Sequence, residues 1–101
     1  MRKPRPITER ESNLIQLYAY CTFGMTPQGF YGKWDVRHEE IALIAFRSKA
    51  TVSRWFGRGG SRRYPTLNDL RNIALADFLL EHFEEIPEEL RDLLCYGNQH
   101  Q

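Results

Sequence analysis

At 101 residues the chain has room for one modest hydrophobic core and not for two. A formal net charge of +1, an ordinary apolar content and the absence of any long apolar run point to a soluble globular domain and away from a membrane span. The only cysteines, Cys21 and Cys95, share no metal-type spacing and make no disulfide framework, so they read as partly buried thiols in a reducing, cytoplasmic compartment.

The small net charge conceals a strong asymmetry. Residues 41–68 contain six basic residues (Arg47, Lys49, Arg54, Arg58, Arg62 and Arg63) and no acidic one, whereas residues 69–101 contain eight acidic residues against two basic ones. Such polarity suggests a surface for a polyanion at one end and an acidic surface at the other.

Residues 1–7 read as a basic arm. Met1–Pro6 holds three cations and two prolines, and proline removes backbone donors and fixes φ, so the segment is expected to be extended. No apolar signal region follows it. The arm is a candidate for minor-groove contact. Residues 8–95 are expected to form a single domain with a C-terminal helical extension, and 96–101 a frayed tail.

Thr8 and Glu11 have capping-box spacing and predict a helix to about Thr22, with Leu14, Leu17, Tyr18 and Cys21 on its inner face and Gly24 as C-cap. Thr26 and Pro27 restart the chain as N-cap and first helical residue. The short segment Pro27–Trp34 should then carry Phe30, Tyr31 and Trp34 inward. In Glu39–Phe56, Ile41, Ala42, Ile44 and Ala45 recur at helical spacing, a break falls near Arg47–Ser48, and Val52, Trp55 and Phe56 form the apolar set of a second short helix. That helix turns Lys49, Ala50, Ser53 and Arg54 outward.

Ala42, Val52 and Trp55 fall where helix-turn-helix proteins place their small and apolar packing residues, and this stretch resembles that family. Phe46 stands where the family often has Gly, and Arg47 where it often has an apolar residue. Because Gly serves a left-handed backbone conformation there, Phe46 predicts a longer or differently shaped turn. Over more of the chain, MTPQGFYGKW, IALI, TVSRWF, PTLNDLR and DFLLEHFEEIPEEL resemble segments of small bacterial helix-turn-helix proteins, cyanobacterial ones in particular. That resemblance implies a stand-alone DNA-binding protein.

Gly57–Tyr64 reads as a flexible loop with three arginines and one aromatic, without the following Lys-Ser/Thr pair of a phosphate-binding P-loop. Thr66 caps a helix expected to run to about Phe83. Its broad apolar surface includes Leu67, Leu70, Phe78 and Leu79, and Pro87 opens a last helix with Leu90, Leu93 and Leu94 in a stripe. Leu67, Leu70, Phe78, Leu79, Leu90 and Leu93 form a candidate homodimer surface.

The expected fold is therefore all-α, a compact bundle of about five helices around a central helix-turn-helix. His38, His82 and His100 are scattered, no serine has an evident base, and the adjacent glutamates cannot face one another across a cleft, so neither catalysis nor a metal or other cofactor is expected. The expected function is sequence-specific binding of duplex DNA, as in a transcriptional regulator. Lys49 and Arg54 would contact bases or groove edges, Ala50 and Thr51 a thymine methyl, Ser53 a base or phosphate, and Ser48, Arg58, Arg62 and Arg63 phosphates. One such module makes few base contacts, which favours a dimer on a two-fold site. The rival expectation is a protein-interaction adaptor, or a non-catalytic accessory subunit on the same scaffold.

Overall fold

In the computed structural model, residues 3–20 and 23–99 are described, with only the backbone for residues 61 and 94–99. Among them are six helices: α1 (Glu9–Tyr20), α2 (Pro27–Lys33), α3 (His38–Ala45), α4 (Lys49–Trp55), α5 (Leu67–Glu81) and α6 (Glu88–Gln99). Short 3-10 turns at Gly59–Ser61 and Phe83–Glu85 flank α5, and no strand occurs among the described residues. The molecule is all-helical, as its periodicity predicts, with α6 continuing past Tyr96 to Gln99.

Local side chains set the helix starts. Thr8 donates its amide and hydroxyl to Glu11 Oε1. Thr26 Oγ1 accepts from the Gly29 amide at 3.0 Å, with Pro27 at the first helical position. Glu40 reaches back to the Arg37 amide, and Thr66 and Asp69 exchange amide bonds in a full capping box. Each of these bonds satisfies a donor that a helix start otherwise leaves orphaned.

The core lies among α2, α3, α4 and α5. Phe30, Ile41, Val52 and Ile73 are completely buried and Trp55 nearly so, while Ala42 and Ala45 keep α3 slim enough for α4 and α5 to approach it. Trp34 is half-buried at the edge and donates from Nε1 to Asp77 at 2.9 Å; Lys33 bridges Asp77 (2.8 Å) and Glu81 (2.7 Å), so α2 is laced to α5. Gly24 makes a different fit. A Cβ there would lie 3.0 Å from Leu70 Cβ, and the missing side chain lets the Met25 amide reach the Leu70 carbonyl at 3.1 Å.

Three expectations are corrected. Leu14 and Leu17 are 65% and 58% exposed, not inward, and Tyr18 is also exposed. By the time the chain reaches α2–α5 the core is filled, and α1 is left attached alongside α5 through Arg71. Tyr31 is exposed too, because Phe30 takes the inward position on α2. The reading of Gly24 as C-cap turns on residues 21 and 22 and so falls outside the described residues. α5 stops at Glu81 rather than Phe83, with His82 as its cap. The expectations for Cys21, Thr22 and His100, and for the side chains of Leu94 and Cys95, fall outside the described residues.

Candidate nucleic-acid interface

The turn between α3 and α4 is tight in spite of Phe46. Phe46 takes the left-handed conformation (φ 57°, ψ 44°), and its amide and that of Arg47 both return to the Ala42 carbonyl, closing the end of α3. The expected longer or reshaped turn is not formed. Phe46 is 86% exposed, so it adopts the left-handed conformation without any packing that would compel it; the compulsion comes from the helices on either side.

Arg47 explains the second departure from the helix-turn-helix pattern. Its guanidinium grips Asp69 with two bonds, Nε–Oδ1 at 2.9 Å and Nη2–Oδ2 at 3.2 Å, while Asp69 also caps α5 through Thr66. Asp69 is 3% exposed. Its burial pushes the carboxyl pKa up, but Arg47 and the two Thr66 donors outweigh burial and hold it below its ordinary value. A planar, bidentate guanidinium thus welds the turn to the start of α5.

Ser48 starts α4 as N-cap: its Oγ accepts from the Thr51 amide at 3.1 Å and donates to Thr51 Oγ1 at 3.0 Å. Val52 and Trp55 point into the core, which leaves Ala50 and Arg54 at the centre of the outward face of α4. Lys49 lies to one side, 3.8 Å from Glu39 in an exposed contact too loose to hold it. Ser53 is drawn toward α3, its Oγ 3.2 Å from His38 Nδ1. Thr51 lies on the opposite flank, where Arg47, Arg54, Arg63, Tyr64 and Thr66 line a shallow concavity of about 230 Å³.

The loop after α4 is tied down. The Arg54 carbonyl accepts from the amides of Gly57 and Arg63, both at 3.1 Å, so Arg63 is returned to the side of Arg54. Between them Gly59 takes φ 68°, a value that favours glycine, and starts the 3-10 turn. Arg62 lies 4.8 Å over the exposed Tyr64 ring in a cation–π contact. Arg58 is exposed next to Gly57. Of the predicted contact residues, the fold therefore brings Ala50, Arg54 and Arg63 together, sets Lys49 and Ser53 on one flank and Thr51 on the other, and uses Ser48 to start the helix.

Two supporting features escape local sequence reasoning. Gln28 Nε2 donates to the Trp55 carbonyl at 2.9 Å, satisfying the end of α4 from α2. His38 stacks on Phe56 (4.4 Å, 18°), and Tyr31 lies against both rings. Neither has a local signal, because the partners come from different helices. Asp69 did carry one: it stands three residues after the Thr66 cap, where a carboxylate has more than one use.

Among the described residues no group of His, Cys, Asp and Glu converges as a metal site would need, and no helix is long and apolar enough to cross a membrane. No protein-family model matches the chain, and neither a curated protein nor a solved structure matches it significantly.

Proposed function

We propose that the chain binds duplex DNA, laying the outward face of α4 in the major groove and gripping phosphates with the arginine loop, most simply as a transcriptional regulator. The observation that carries this reading is the Arg54 carbonyl bonded to the Arg63 amide, which joins helix and loop into one basic face. Residues 41–68 contribute no acid to that face, with Glu39 only at its edge beside Lys49, and a predominantly cationic helix face suits a groove flanked by phosphates. Arg54 is well placed to donate to guanine acceptors, and Ala50 beside it leaves room for a thymine methyl. Lys49 would exchange its weak contact with Glu39 for a base edge or phosphate at little cost. Arg62 and Arg63 would set register and read no sequence.

The test is binding to random-sequence and genomic duplexes across a salt series, for wild type and Lys49→Ala/Arg54→Ala. Support comes from affinity that falls steeply with salt together with a sequence preference lost in the variant. Salt-sensitive binding with no preference in either protein reduces the reading to a nonspecific binder. A folded protein that fails to bind at low salt sinks it. The acidic stretch from Glu81 to Asp92 favours a second reading, an adaptor recruiting a basic partner; DNA affinity unchanged by Arg54→Ala/Arg58→Ala, with loss of a protein complex, would select it.

A further inference from the structure

The shallow concavity beside α4 holds a charge imbalance that the chain itself does not settle. Arg47, Arg54 and Arg63 line it against a single acid, Asp69. The Arg47–Asp69 pair is matched, and its carboxylate is the inner end: the Asp69 side chain is 4% exposed and that of Arg47 42%. Arg54 and Arg63 are the surplus. Neither guanidinium meets an acid among the described residues, yet the bond from the Arg63 amide to the Arg54 carbonyl holds the two residues side by side. Like charges kept adjacent repel, and an anion seated between them converts that repulsion into attraction.

Hydrogen-bond donors dominate the lining. Ser48 Oγ donates to Thr51 Oγ1, so the hydroxyl hydrogen of Thr51 is left to donate into the concavity. Tyr64 adds a phenol on a ring that is 73% exposed. Thr66, by contrast, is spent, since its hydroxyl both donates to and accepts from Asp69. Two guanidinium forks and two hydroxyls thus stand ready to donate, while the one carboxylate is already bonded by Arg47 and Thr66. That set suits a tetrahedral oxyanion and neither a cation nor an apolar ligand. Size narrows the class further. Small-molecule pockets usually enclose about 300–1,000 Å³, whereas a shallow 230 Å³ takes one phosphate group rather than a whole metabolite.

We propose that this concavity seats a single phosphate group. That the group is a backbone phosphate of a bound duplex rests on the DNA reading above. It would lie on the Thr51 flank of α4, while the opposite flank carries Glu39 beside Lys49, so the two strands bordering the helix are gripped unequally. The seat gives Arg63 one phosphate to hold. It thereby fixes the register in which Arg54, common to the concavity and to the outward face, meets the bases.

Two titrations test this. In the first, inorganic phosphate is added to the full chain at constant ionic strength, against a chloride control, and the Thr51 and Arg63 amides are followed by NMR. A saturable shift of both is expected in wild type, with binding about tenfold or more weaker in Arg63→Ala, the loss of one charge-assisted bond. In the second, single phosphates of a bound duplex are replaced in turn by uncharged methylphosphonate. One position per bound chain is expected to weaken wild type by about tenfold or more and to leave Arg63→Ala unchanged, because both changes remove the same contact. No shift beyond the chloride control, or equal phosphate binding by folded Arg63→Ala, overturns the seat and leaves DNA binding to stand or fall separately. A phosphate shift in a protein that binds no duplex keeps the seat, overturns its DNA source and assigns it to a free phosphate ester. Duplex binding indifferent to every single replacement overturns the backbone-phosphate assignment.

Discussion

Phe46 carries a backbone cost that its own side chain does not repay. An L-residue in the left-handed region costs about 1–2 kcal/mol, and an 86% exposed ring gains little from burial in return. Phe46→Gly is therefore expected to stabilise the protein by about 0.5–1 kcal/mol after allowance for the greater chain entropy of Gly. A rise of several degrees in the thermal midpoint would show it. Trp55 is the opposite case. It is 1% exposed at the meeting of α2, α3 and α4, and Trp55→Ala is expected to cost about 3–5 kcal/mol in denaturant titration. Asp69→Ala removes the carboxylate that both caps α5 and holds Arg47; a cost of about 2–3 kcal/mol is expected, below the fully buried case because Arg47 is 42% exposed to water. Arg47→Met leaves Asp69 buried with its Thr66 bonds but without a counter-charge, and a cost at least as large is expected.

At the scale of elements, α4 and the arginine loop act as one piece because Arg54 and Arg63 share a backbone bond. Helix and loop should nevertheless contribute differently to binding. On the proposed reading, replacing Arg58, Arg62 and Arg63 by Ala weakens all DNA sequences alike and lowers the salt slope by about one for each phosphate no longer held. Loss of preference with an unchanged slope would instead assign base reading to the loop. The helix starts were legible in sequence because each uses partners three residues apart, as with Thr8–Glu11, Thr26–Gly29 and Thr66–Asp69. The loop was read as flexible because the Arg54–Arg63 bond spans nine residues and has no side-chain signature.

For the whole molecule, acid stability follows from carboxylates tied to cations. Arg47 and Thr66 hold Asp69 below its ordinary pKa against the opposing effect of burial; Lys33, and then Trp34, do the same for Asp77. In the unfolded chain these groups return to about 3.9 and bind protons at higher pH than in the fold. Stability is thus fully present above that value and falls as pH drops through the folded pKa values. Urea titrations at descending pH should show a decline below about pH 4, and the part due to Asp77 should vanish in Asp77→Asn. A rise in stability over that range would contradict both ion-pair assignments.

The sequence alone determined the helical class, the capped helix starts at Thr8, Thr26 and Thr66, the core set Ile41, Ala42, Val52 and Trp55, and the basic tract of residues 41–68, because periodicity, capping and charge are local properties of the chain. Tertiary structure decided the rest. It gave Arg47 to Asp69 rather than to the basic face, drew Ser53 to His38, returned Arg63 to Arg54, and left Leu14 and Leu17 outside a core already closed by Phe30, Ile41, Val52 and Ile73. A helical period shows that α1 has an apolar side; only the packing of α2–α5 decides whether space remains for it to fill.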